Sequence, residues 1–372
     1  MKIHSRKPLA FLLVISLFFI CAHRQEANQY TPVVFSEMEK KLLKASNEFG
    51  FHLFGKINNE NTKNVLVSPF SISTALAMTT NGACGTTRDA MLEGLCLKNI
   101  NEDSLNLNYQ SVLEKLLSAD REVSLDITNS IWYRNTFSVK ETFKSINQTH
   151  FHAQTEGLDF DSPEAAETIN NWVKKKTHGK IKKIVSRIAP EDVMFLINAL
   201  YFKGNWQFEF EVSKTQEDTF YTGEGIHLTE MMEQSTHLEY GSDSLVEMVD
   251  LPYGDGQFSM MILLPRGNQD LTTLLEHLTV HNWEKWHRSL EKKRIHLRMP
   301  KFEFESEFNL NKFLSDMGMD MAFDPDQADF CGINEQMDLF ISRVKHKTFI
   351  ELNEKGTEAA AVTSVGISLT SV

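Results

Sequence analysis

Residues Asn353–Val372 read NEKGTEAAAVTSVGISLTSV. Small and β-branched residues alternate, no proline interrupts them, and no charge follows Glu358. That is the character of a strand. A strand needs neighbours to bond its backbone, so the sheet that takes this one has to be sought upstream.

Upstream, periodicity divides the chain. Met38–Lys56 places Leu42, Leu43, Ala45, Phe49, Phe51 and Leu53 at helical spacing, which predicts an amphipathic helix. NVLVSPFSISTALAMTTNGA predicts a short apolar strand and then a buried helix. Ser68 serves as its N-cap, Pro69 opens it and Gly82 ends it. VSLDITNSIWYR (Val123–Arg134) alternates as a strand does. AAETINNWVKKKTHG (Ala165–Gly179) reads as a helix stopped by glycine. MFLINALYFKG (Met194–Gly204) is almost continuously apolar, the mark of a strand buried on both faces. Ser244–Pro265 reads as a hairpin turning at Gly254-Asp255-Gly256. RIHLRMPKFEFESEF (Arg294–Phe308) alternates throughout, a short helix follows at Leu310–Gly318, and alternation resumes after Met337. Helices dominate the first half and long strands the second, which predicts an α+β domain with extended antiparallel or mixed sheets.

The 372 residues are 41% hydrophobic and 24% charged, with a net charge of −12. That balance excludes a general nucleic-acid binder, which needs a positive footprint. The N-terminus is basic, and its apolar run Leu9–Ile20 is too short to span a bilayer. Residues 1–22 are therefore expected to be a signal peptide cut after Ala22, and the mature protein to be secreted. A rival reading puts a lipid anchor on Cys21. Residues 23–37 form a loose entry segment before a domain at 38–372. Without the leader, Cys84, Cys96 and Cys331 remain. They are expected to be buried thiols, with a Cys84–Cys96 bridge as the alternative. Asn147-Gln148-Thr149 is the lone N-x-[ST] sequon, so Asn147 is the candidate glycosylation site.

Catalytic motifs are missing. There is no G-x-S-x-G elbow, H-E-x-x-H, P-loop or C-x-x-C. Asp324–Glu335 lacks the mid-loop glycine of a calcium loop. An enzyme is not expected, nor a metal or cofactor. Lys174, Lys175, Lys176, Lys180, Lys182 and Lys183 form a basic patch that could bind a polyanion weakly. The plainer reading is a solvated helix face.

Taken in order, six segments resemble the serpin family from about Met38 onward: NVLVSPFSISTALAMTTNGACGTT, INNWVKKKTHGKI, INALYFKGNWQFEF, LPYGDGQFSMMILLP, MPKFEFESEFNLNKFLSDMGM and VKHKTFIELNEKGTEAAA. The resemblance implies three β-sheets with eight or nine helices. It also implies a mechanism: an exposed reactive-centre loop baits a serine protease, is cleaved, and inserts into the central sheet with the acylated protease attached.

Residues 353–372 would be that loop. Its hinge would be Gly356, Thr357, Glu358, Ala359, Ala360 and Ala361, after a strand ending at Glu354. On insertion Thr357, Ala359, Ala361 and Thr363 would face inward. All four are small and uncharged, as an inserting strand requires, whereas Glu358 would face outward. Counting from Glu354, the resemblance puts the scissile bond at Thr370–Ser371, with Leu369–Thr370 as the alternative. Thr370 suits an elastase-like pocket and Leu369 a chymotrypsin-like one. Ser71, Ser73, Asn198 and His346 match the shutter cluster under the sheet, where His346 is expected to bond Asn198. Trp206 matches the breach at the top of the sheet, and Lys301 and Glu354 match its ion pair.

Members of the family continue past the scissile bond, with strands that complete two further sheets. The expectation here is a chain truncated just after the loop, with those strands missing. Such a chain alone would not inhibit and would tend to aggregate or insert its own tail. The competing readings are a carrier or chaperone on the same scaffold and an unrelated secreted enzyme. The intact hinge composition favours inhibition.

Overall fold

The computed structural model describes residues 12–14, 32–61, 63–98, 100–222, 225–267 and 270–370. The helices are α1 (Glu37–Asn59), α2 (Pro69–Thr80), α3 (Gly85–Gly94), α4 (Glu102–Leu117), α5 (Glu141–Phe151), α6 (Ala165–Lys176), α7 (Leu271–Glu276) and α8 (Val280–Arg288), with short helical turns between residues 311 and 323. The strands are β1 (Leu12–Val14), β2 (Val123–Arg134), β3 (Gln154–Leu158), β4 (Asp192–Asn205), β5 (Gln216–Thr222), β6 (Gly225–Ser242), β7 (Val246–Tyr253), β8 (Phe258–Pro265), β9 (Glu291–Pro300), β10 (Phe302–Asn309), β11 (Leu339–Leu352) and β12 (Gly356–Leu369).

Local chemistry accounts for the helices that support the site. Ser36 opens α1 with a capping box, accepting from the Glu39 N–H while Glu39 reaches back. Leu42, Ala45, Phe49, Leu53 and Ile57 of α1 then face the core. Ser68 caps α2 and Pro69 occupies its first turn. Every residue of α2 from Phe70 to Thr80 is buried, so this helix runs beneath the sheet rather than along the surface.

The central sheet runs β10-β11-β12-β4-β2-β3, antiparallel except for the parallel β2–β3 pair. One face of this sheet meets α2 in the main core. The other is covered by α6 and the segment after it, through Ile169, Val173, Ile181, Ile184 and Val185. Burial on both faces explains the continuous apolar run of β4.

Four expectations need correction. Asn64–Val67 is not a strand. Leu66 instead bonds side chains, its N–H donating to Ser306 Oγ and its carbonyl accepting from Thr348 Oγ1. The alternating run Arg294–Phe308 is two strands, not one, and they belong to different sheets. Pro300 cannot donate to a ladder, and the chain changes sheet there: β9 pairs β6, whereas β10 pairs β11. Three separate sheets were implied, but among the described residues the strands form two six-stranded sheets. The 18-residue β6 bonds β5 along Gly225–Met231, β9 along Met231–Tyr240 and β7 along Glu239–Ser242, fusing two sheets into one. Lastly, Cys84 bonds Cys331 across 247 residues of sequence, and Cys96 is the free thiol among the described residues. Neither the buried thiols nor a Cys84–Cys96 bridge holds for this pair.

Most of residues 1–22, with Cys21 and the junction after Ala22, lies outside the described residues. Leu12–Val14 of that stretch pairs with Met261–Leu263 of β8. No helix among the described residues is long and apolar enough to cross a membrane.

Candidate functional site

The tail with which the sequence reading began is β12, seated between β11 and β4 along 14 residues. Its alternation sorts its side chains as the pleat demands. Thr357, Ala359, Ala361 and Thr363 lie on the inner face, with Val365 and Ile367 continuing the set into the main core. Ala360 and Val362 lie on the outer face and pack beneath α6. The loop is thus in the inserted position, not exposed.

Asn353–Lys355 turns the chain from β11 into β12, so β11 ends at Leu352 and not at Glu354. Glu354 is almost fully buried and accepts from Thr215 Oγ1 at 2.8 Å and Lys301 Nζ at 3.2 Å. Burial works to raise its pKa, but these bonds and a backbone N–H prevail and hold the carboxyl below its ordinary value. Trp206 packs against the same turn. Its indole N–H donates to the Asn353 carbonyl at 3.0 Å, its backbone N–H to the Lys355 carbonyl, and its ring stacks on Tyr253 at 4.5 Å. The Tyr253 hydroxyl in turn donates to Thr357 Oγ1 at 2.6 Å, the first inward side chain of the hinge. The residues expected at the breach, Trp206, Lys301 and Glu354, thus converge on the turn that leads into β12.

Below the middle of the sheet, Ser71, Ser73, Asn198 and His346 are all buried. The expected bond between His346 and Asn198 is not formed, and β12 is the reason: it separates β11 from β4 and puts Thr363 between them. His346 Nε2 accepts from the Ser68 N–H at 3.0 Å. Its Nδ1 therefore carries the proton and donates to Thr363 Oγ1 at 2.8 Å. Thr363 continues the chain to Ser71 Oγ at 3.0 Å. Burial lowers the imidazole pKa to about 3, so His346 is a neutral connector. Asn198 donates to Asn129 Oδ1 at 2.9 Å, and its own Oδ1 has no partner. Ser73, two residues on in α2, lies on another side of the helix, near Ser46 Oγ and the Phe70 carbonyl.

Thr370 ends the described chain just beyond β12, its N–H donating to the Asp338 carbonyl, and Ser371 lies outside the described residues. Asn147 is a further correction. It is fully buried in α5, donates to the Phe143 carbonyl and accepts from Asn81. The fold leaves no room for a glycan on that side chain. The basic patch is also thinner than the sequence suggests, because Lys180 is tied to Glu351 and Glu358. Among the described residues the group nearest to a metal-ligand set is Cys84, Asp329 and Cys331, and the disulfide takes two of the three.

Sequence reasoning missed three contributors: Thr363 as a hydrogen-bonding member of the shutter, Thr215 at the breach, and the partners of Glu358. Only Thr363 left a signal, a threonine at a buried position of an alanine-rich strand.

Residues 44–372 match the family described as Serpin (serine protease inhibitor). Serpin B8 of Homo sapiens is 35% identical over 333 residues, covering 87% of this chain and 88% of its own length. Iripin-2 of Ixodes ricinus is 34% identical over 341 residues, covering 89% of this chain and 85% of its own. The crystal structure of reactive-loop-cleaved human thyroxine-binding globulin superposes with a TM-score of 0.84 at 26% identity, covering 89% of this chain and 99% of that one. With its fold, its inserted strand and these matches agreeing, the chain belongs to the serpin family.

Proposed function

We propose that this serpin inhibits serine proteases by suicide loop insertion, with Thr370–Ser371 as the scissile bond. One observation carries the reading: Gly356–Leu369 fits as a full central strand whose inward hinge positions are all small and uncharged. A protease that cleaves near Thr370 would release this strand into the sheet and be dragged along as an acyl-enzyme. Leu369 and Thr370 beside the cut suit elastase-like or chymotrypsin-like targets. The Cys84–Cys331 disulfide supports an oxidising, extracellular setting, because such bonds seldom persist in the cytosol.

The protein as its own cell produces it is incubated with an elastase-like and a chymotrypsin-like protease and run on a denaturing gel. The expected result is a covalent band of summed mass with the protease, and a chain cut after Thr370 by mass spectrometry. Clean cleavage without an adduct contradicts inhibition. It favours the carrier reading, to which the likeness to thyroxine-binding globulin lends weight.

A further inference from the structure

The outer face of the hinge carries one charged side chain, Glu358, and its surroundings are specific. In the β11–β12 register Glu358 lies directly opposite Glu351. Like charges in that relation repel across a ladder. Lys180 sits between them, with Nζ 3.1 Å from Glu351 Oε2 and 3.2 Å from Glu358 Oε2. Tyr201 of β4 donates its hydroxyl to Glu358 Oε1 at 2.7 Å, and Lys203 Nζ lies 3.8 Å from Oε2. Glu358 is only partly exposed. Burial works to raise its pKa, but Tyr201 and the two lysines prevail and hold the carboxyl below its usual value.

These partners come from elements that exist without β12. Lys180 follows α6, where Gly179 adopts a positive φ of 84° and its N–H closes back on Lys174. Thr177 Oγ1 pins the next residue by accepting the Ile181 N–H. The Lys180 ammonium also lies 4.7 Å from the Phe349 ring centroid. His178 stacks on Tyr201 at 4.0 Å while bonding Asp126 Oδ2 at 2.9 Å, which fixes the tyrosine ring. Take Glu358 away and Lys180 keeps one carboxylate, Glu351, while Lys203 loses the one it faces. Glu358 is the one carboxylate that both ammonium groups reach.

We propose that Lys180, Tyr201 and Lys203 form a preformed seat for the Glu358 carboxylate that catches the hinge at the first step of insertion. This deepens, and rests on, the reading of β12 as the inserted reactive loop. Glu358 lies close behind the turn at Asn353–Lys355, near the start of β12, so the seat engages before Thr363 reaches the shutter. Its role is positional: it speeds the commitment of the hinge, and with it the fraction of cleaved molecules that trap the protease.

The charge logic gives a test. The stoichiometry of inhibition, moles of serpin consumed per mole of protease trapped, is measured for wild type, Lys180→Met, Glu358→Gln, their double variant, Lys180→Arg and Lys180→Met/Glu351→Gln. Each of the first two single variants is expected to raise it about threefold, the size of a partly buried ion-pair effect. The double variant should add nothing further. Lys180→Arg should stay close to wild type because it keeps the cation, and the Glu351→Gln combination should return toward wild type because it removes the unneutralised carboxylate pair. Unchanged stoichiometry in the single variants, or no rescue by Glu351→Gln, overturns the proposal. If wild type traps no protease, the inhibitor reading fails instead. The urea midpoints of the inserted form then decide the seat: non-additive losses for Lys180→Met and Glu358→Gln support it, and additive losses overturn it.

Discussion

At the scale of single residues, β12 contributes Thr363 to a buried hydrogen-bonded chain with His346 and Ser71. Thr363 Oγ1 bonds both His346 and Ser71, and all three residues are fully buried. Thr363→Val keeps the shape and removes the hydroxyl, leaving two buried polar groups unpaired. The inserted form should lose about 1–3 kcal/mol in urea unfolding, and Thr363→Ser should lose less than Thr363→Val. His346 supplies a pH dependence. Its pKa in the fold is about 3, below the ordinary 6.5, so the neutral ring contributes stability that is fully present above pH 6.5 and lost as pH falls toward 3. Between about pH 6.5 and 5, before the carboxylates titrate, wild type should lose about 1 kcal/mol per pH unit relative to His346→Gln. Parallel curves for the two proteins would contradict the assignment.

At the scale of elements, the hinge depends on a close backbone approach. A Cβ on Gly356 would lie 2.0 Å from the Gly204 carbonyl oxygen, which belongs to the paired strand and cannot rotate away. Gly356→Ala should therefore lift the first residues of β12 from β4. Hydrogen exchange should show lost protection at 356–358 and retained protection around 362–366. Ala361→Glu should act more severely, since it places an unpaired carboxylate in the main core. Elements with strong local signals were legible in the sequence: the Ser68-Pro69 start of α2, the apolar run of β4, the glycine turn between β7 and β8, and the small-residue alternation of β12. Legibility failed where long-range partners decide. Asn64–Val67 has a strand's composition, yet side chains of β10 and β11 take the backbone bonds of Leu66. The His346 partner was misread because Thr363 of β12 stands between β11 and β4 and takes the imidazole's bond. The seat for Glu358 was invisible because Lys180, Tyr201 and Glu358 are far apart in sequence.

At the scale of the whole molecule, two features govern the proposed change of loop position. The Cys84–Cys331 bond ties the start of α3 to the segment that leads into β11, beside Gly82 and Ile333, which pack in direct contact. Closing so long a loop should contribute about 2–5 kcal/mol. Cys331→Ser should lower the thermal midpoint by several degrees, and reductant should do the same to wild type but not to the variant. The second feature is the central sheet, which the proposed mechanism requires to open between β11 and β4 while α6 stays across it. If insertion follows cleavage as proposed, stability is kinetic before the cut and thermodynamic after it. The central claim, that Gly356–Leu369 is an exposed loop which becomes a buried strand, is tested most directly by hydrogen exchange. The protein as its own cell produces it is compared before and after proteolysis near Thr370. The account predicts fast exchange across 356–369 before the cut and strong protection after it, with new protection on the facing edges of β4 and β11. Equal exchange in the two states would contradict it.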